Sequence, residues 1–312
     1  MNRDIRNLLN DFIEEKHSLG YKYVSEWYTL NNFITHCEKY NSGIIDDIAI
    51  NKWAIRKLNE KNRTYQHRLS DMNAFISYLN RNNFSLKLIK TSRIKKHDSF
   101  SPIILNTDEI KRLFDVLDHL PPSPGYRYHI DYPIMFRILY GCGLRISELI
   151  NIKIEDFDID NKLFIIRNTK NNQDKIVPMS ESLFKIVITY YLKYNSNKSE
   201  ESYFFRSRFN QKYARGTLTH NFLEYLKKAS IAHDSDLGPR LHDLRHLFCC
   251  LSLHQMINKG KDPYVCLPIL STYIGHKSTK STELYLHLAQ RDYEDILSKV
   301  EDKYGRMVIK DE

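Results

Sequence analysis

The sequence predicts a mainly α-helical protein of two domains: a four-helix domain first, then a larger helical domain carrying one small β-hairpin. Three observations predict it. Apolar residues recur at helical spacing through most of the 312 residues. Only one pair of short β-type runs interrupts them, at 163–167 and 175–178. A basic, aperiodic stretch at 85–101 separates the two helical regions and sets domains at 1–96 and 97–312.

Leu8, Leu9, Phe12 and Ile13 mark the first helix, and Trp27, Leu30, Phe33 and Ile34 the second. Trp53, Ile55 and Leu58 mark a third, and Leu69, Met72, Phe75, Ile76 and Leu79 a fourth. Beyond the linker, Thr107 followed by Asp108 and Glu109 has the form of a helix start, with a capping residue and acids in the first turn. Helices are expected over 107–119 and 131–155, then, after the hairpin, over 180–195, 215–230, 242–258 and 266–290.

The charge is concentrated. Residues 52–96 hold twelve basic side chains against Glu60 and Asp71, a surplus larger than the chain's whole net charge of +9. Such a segment fits either a polyanion partner or a solvated helical face. Its candidate phosphate contacts are Lys52, Arg56, Lys57, Arg63, Arg68, Lys87, Lys90, Arg93, Lys95 and Lys96. The first residues are charged throughout and contain no long apolar run, which leads us to expect a soluble, cytoplasmic protein. Five scattered cysteines, an odd number, argue against a disulfide framework. A zinc site from His246, Cys249, His254 and Cys266 is conceivable, but buried free thiols explain the cysteines more simply.

Four segments carry chemistry: GCGLRISEL around Arg145, NTKNNQDKIVP around Lys170, HDLRH from His242 to His246, and YIGHKSTKSTELYLHL with His276 and Tyr285. Glu148 stands three positions after Arg145, on the same helical face, where it can hold the guanidinium. His242 and Arg245 share a face at i, i+3, pairing a proton carrier with a planar fork suited to phosphate oxygens. Singly, each residue has an ordinary structural explanation. In the order Arg, Lys, His-x-x-Arg, Gly-His, Tyr, the set resembles the tyrosine recombinase and phage integrase family across the second domain. The basic helical first domain resembles that family's N-terminal, SAM-like core-binding domain. The long stretch between Arg245 and His276 is more like the transposon-borne members.

The resemblance implies a site-specific recombinase that cleaves and rejoins double-stranded DNA, for integration or excision of a mobile element. Tyr285 would be the nucleophile, forming a 3′-phosphotyrosyl bond; Arg145 and Arg245 would neutralise the phosphate. His242 would assist removal of the phenolic proton, Lys170 would protonate the leaving 5′ oxygen, and His276 would hold a non-bridging oxygen. It also implies no metal or other cofactor, no membrane partner, and assembly into a tetramer on DNA with 293–307 docking on a neighbour. A type IB topoisomerase and a DNA-binding regulator without cleavage are the alternatives.

Overall fold

The computed structural model describes residues 4–91, 102–167, 174–231, 238–275, 282, 283, 285 and 286. The chain divides into two compact units, Met1–Phe100 and Ser101–Glu312.

The first unit is four helices: α1 (Ile5–Ser18), α2 (Val24–Tyr40), α3 (Asp47–Ala54) and α4 (Asn62–Arg81). Their apolar faces close on one core that includes Phe12, Phe33, Trp53, Phe75 and Leu79. The Asp4 and Asp46 side chains cap α1 and α3 by accepting from Arg6 N and Ala49 N. Ile55 and Leu58, read as part of the third helix, lie beyond its end at Ala54 and are exposed.

The stretch read as linker from residue 85 is shorter than expected. Phe84, Leu86 and Ile89 pack on the core of the first unit. Asn80 both donates to Leu86 O and accepts from Leu86 N, each at 2.9 Å. Asn73 does the same with Ile89, at 2.9 and 2.8 Å. Two asparagines seven residues apart lie on one face of α4, so they clamp an extended strap as a neighbouring strand would.

Arg68 also departs from its expected role. Its side chain and that of Glu60 are each 7% exposed and pair at 2.8 Å. The guanidinium donates further to Trp53 O (2.6 Å) and Ile55 O (3.1 Å) and lies over the Trp53 ring. This fork is committed to closing the loop after α3, so the assignment of Arg68 to phosphate contact is corrected to a structural one. Lys52, Arg56, Lys57, Arg63, Lys87 and Lys90 are exposed, whereas Arg93, Lys95 and Lys96 lie outside the described residues.

In the second unit, α5 (Thr107–Asp118) begins one residue earlier in its capping than expected. Asn106, not Thr107, is the cap, and Glu109 returns the hydrogen bond to Asn106 N. The single helix expected over 131–155 is broken. Helix α6 (Tyr128–Cys142) stops at Gly143, whose φ of +61° is left-handed, and the four-residue α7 (Ile146–Leu149) follows. Strands β1 (Phe157–Asp158), β2 (Leu163–Ile166) and β3 (Lys175–Pro178) form an antiparallel sheet in that order. A two-residue strand carries no readable alternation, so the expected hairpin gained a third strand. Then come α8 (Glu181–Tyr194), α9 (Arg215–Lys228), α10 (Asp243–Asn258) and α11 (Pro263–Ile274). The last helix expected, over 266–290, ends instead at Gly275, with φ +67°; residues 282, 283, 285 and 286 are again helical.

A large core including Phe136, Leu139, Phe164, Phe204 and Phe222 joins α5–α9 and the sheet. A smaller cluster joins α10 to α11 and contains Tyr285 together with Cys249, Cys266 and Ile274. All five cysteines are buried, and none is in a disulfide. Arg68→Ala would leave the Glu60 carboxylate buried without its partner. The expected loss is about 3 kcal/mol of stability in the first unit, read by urea denaturation followed through tryptophan fluorescence.

Candidate active site

The turn between α6 and α7 builds the first half of the site. Gly143 caps α6 with a left-handed backbone, and a Cβ there would stand 2.2 Å from the Phe248 ring of α10. Glycine therefore lets α10 approach closely enough for Arg245 to donate to Gly143 O at 2.7 Å. Arg245 also donates to Ile274 O at the end of α11. These two carbonyls hold the two terminal nitrogens of the fork.

Arg145 precedes α7, and Glu148 lies at its third position. The Glu148 carboxylate accepts from Arg145 N at 2.8 Å and from Arg145 Nη1 at 2.5 Å. Its second oxygen lies 3.8 Å from Arg245 Nη1. One carboxylate thus faces both guanidiniums. Their exposures differ: the Arg145 side chain is 22% exposed, Glu148 5% and Arg245 2%. Arg145 Nη2 reaches toward Gly275 O at 3.5 Å. Burial, reinforced by the Arg145 charge, lowers the Arg245 pKa, yet an arginine stays charged at any physiological pH. The cluster is a preorganised anion cradle whose positive charge exceeds that of its single carboxylate.

The second half lies on α10. His242 stands just before the helix and His246 one turn on, with ring centroids 4.9 Å apart and planes nearly perpendicular. Burial pushes the His242 pKa down to about 4, helped by the neighbouring His246 and Arg245. Tyr285 is 1% exposed, and its hydroxyl lies 3.0 Å from His246 Nδ1. The Cys249 thiol, a turn further along α10, packs in the same cluster as the phenol and acts on it. Burial is the main reason that the Tyr285 pKa is raised, with Cys249 adding to it and Arg245 opposing it.

Five of the sequence-derived and structural groups therefore meet: Arg145, His242, Arg245 and Tyr285, with Glu148 between the arginines. Lys170 and His276 lie outside the described residues. The histidine that meets the phenol is His246 rather than His242. Its signal was available, because position i+4 from His242 is the same helical face as Arg245 at i+3. No three His, Cys, Asp or Glu among the described residues are grouped to hold a metal, and His246, one candidate for the conceivable zinc site, faces Tyr285 instead.

Residues 104–292 match the model of the phage integrase family. A tyrosine recombinase of Pseudothermotoga lettingae is 25% identical over 255 residues, spanning 80% of this chain and 79% of that protein. Tyrosine recombinase XerA of Pyrococcus horikoshii is 28% identical over 201 residues, 64% of this chain and 61% of that protein. Among solved structures, the integrase of transposon Tn1549 superposes with a TM-score of 0.62 at 16% identity, over 89% of this chain and 94% of that one. Lambda integrase gives 0.61 at 16% identity, over 90% and 76%. These two likenesses concern the fold.

Two outcomes are expected. Gly143→Ala would force a left-handed alanine and a clash with Phe248, lowering stability by roughly 2 kcal/mol or more in a thermal melt. His242 stays neutral when folded down to about pH 4, whereas the unfolded chain takes up this proton near its ordinary value of 6.5. Its contribution is thus intact above pH 6.5 and is lost as pH falls toward 4. His242→Gln would flatten that part of the acid branch of a stability–pH curve.

Proposed function

Because the chain belongs to the phage integrase family, we propose that it is a tyrosine-type site-specific recombinase that joins DNA strands through Tyr285. The observation that carries this reading is the Arg145–Glu148–Arg245 cluster, whose Arg245 stands on α10, the helix that also meets the Tyr285 phenol through His246.

In this reaction Tyr285 Oη attacks the scissile phosphorus, forming a phosphotyrosyl bond to the 3′ phosphate. The bond from phosphorus to the 5′ oxygen breaks, and Lys170 supplies the proton that makes a 5′ hydroxyl. His246 is placed to take the phenolic proton, with neutral His242 beside it as the second imidazole of the pair. The phosphoryl oxygens gain charge as the bond forms, and Arg145 and Arg245 offset it as fixed forks. His276, by the family pattern, holds a non-bridging oxygen. A 5′ hydroxyl from the partner strand then reverses the step, so the bond energy stays in the covalent linkage and no nucleotide is consumed.

Double-stranded DNA is the substrate in this reading. The solved relatives include the Tn1549 integrase with circular-intermediate DNA and a lambda integrase tetramer on a Holliday junction, which supports a tetrameric synapse here. Residues 293–307, expected to dock on a neighbouring subunit, lie outside the described residues. The helical first unit, at 1–96, would grip the duplex with its exposed Lys52, Arg56, Lys57, Arg63, Lys87 and Lys90, and with Arg93, Lys95 and Lys96 beyond them. The transposon relative favours a role in moving a mobile element. No described helix is long and apolar enough to cross a membrane; with DNA as substrate and five cysteines outside any disulfide, the cytoplasm is the compartment that fits.

The test is incubation with nicked suicide DNA carrying candidate element ends, followed by a denaturing gel. Wild type is expected to give a covalent adduct, Tyr285→Phe none, and Arg145→Ala an adduct formed about 10²-fold or more slowly. His246→Ala is expected to slow adduct formation by roughly 10²-fold. An adduct from Tyr285→Phe at the wild-type rate would overturn the reading.

A further inference from the structure

Lys175 opens β3, paired across the sheet with Ile166. Its neighbour Ile176 points outward and is exposed, so strand alternation turns Lys175 inward. There its ammonium lies 4.7 Å over the Tyr273 ring of α11 and is buried with no hydrogen-bond partner among the described residues. The Tyr273 hydroxyl, which could have faced it, donates instead to Cys142 O. A buried ammonium with all three donors unused is costly, and a cation–π contact alone repays only part of it.

The surroundings explain what would use those donors. From α7, Glu148 and Arg145 act on Lys175; from α10, Arg245; from α6, the Cys142 thiol. The Cys249 thiol of α10 feels the same ammonium. Glu148 is the carboxylate already shared by both arginines. Three cations therefore act on one carboxylate, an excess that an added phosphodiester would relieve. Burial, with the two arginines adding to it, lowers the Lys175 pKa to about 8, although Glu148 pulls the other way.

We propose that Lys175 is a third cation of the phosphate cradle, a positioning residue whose charge helps Arg145, Arg245 and Glu148 seat the scissile phosphodiester. This rests on the recombinase reading above, and it is separate from Lys170, which protonates the leaving oxygen there. The ammonium carries its charge below about pH 8 and releases the proton above it, so the cradle weakens as the medium becomes alkaline.

Single-turnover cleavage of suicide DNA by the full chain, followed from about pH 7 to about 9.5, tests the proposal alongside thermal melts. Wild type is expected to slow as pH rises through about 8. Lys175→Arg, permanently charged, would lose that fall. Lys175→Met would cleave roughly tenfold or more slowly at pH 7, while melting no lower than wild type, because a buried unpaired charge has been removed. Retention of the fall by Lys175→Arg overturns the proposal, as does Lys175→Met cleaving at the wild-type rate or melting lower. If Lys175→Met does not fold, the Arg profile decides. Absence of adduct from wild type at every pH would remove the recombinase reading, and this role with it; normal cleavage by the variants removes only the role of Lys175.

Discussion

Glu148 holds together two guanidiniums that would otherwise repel each other. Like charges about 4 Å apart cost roughly 4 kcal/mol at the effective dielectric of a protein surface, and more where water is excluded. The carboxylate offsets that cost by bonding Arg145 at 2.5 Å and lying 3.8 Å from Arg245. Two backbone carbonyls, Gly143 O and Ile274 O, complete the seat of Arg245. The left-handed glycine, the break between α6 and α7 and the close approach of α10 are all conditions for this arrangement. The folded chain maintains a concentration of positive charge that a phosphodiester transition state would use.

Helix α10 ties this cluster to the Tyr285 phenol. Its positions 242, 245, 246 and 249 fall on one face, so a single helix presents an imidazole pair, a buried fork and a thiol toward the same region. The low His242 pKa and the raised Tyr285 pKa have one dominant cause, exclusion of water. That keeps the His242 imidazole neutral beside His246. It also keeps the Tyr285 phenol protonated.

Much of this was legible in the sequence. The i, i+3 spacing of His242 and Arg245 survives as geometry because helical periodicity maps onto a face, whereas that of Arg145 and Glu148 survives because the extended residue before α7 meets its third position. What escaped notice depends on contacts between elements. His246 shares the face of Arg245, but only the position of Tyr285 shows which imidazole meets the phenol. Lys175 reads as a solvated hairpin lysine until strand alternation and Tyr273 turn it inward. Arg68 reads as one more member of a basic stretch, yet Glu60 and two carbonyls claim its donors. Apolar periodicity ran unbroken across Gly143, whereas a positive φ and the approach of Phe248 decided that the helix stops there. The strap at 84–91 looked like linker because its partners are two asparagine side chains rather than an apolar pattern.

The role proposed for Arg145 and Arg245, held beside one carboxylate, is electrostatic: they neutralise one phosphate. It is tested most directly by replacing the scissile phosphodiester with an uncharged methylphosphonate and comparing wild type with Arg145→Ala. If the guanidinium acts by neutralising charge, a defect of about 10²-fold on the phosphodiester shrinks to a few-fold on the methylphosphonate. An equal defect on both substrates would contradict the account and leave Arg145 a role in folding or in binding DNA elsewhere.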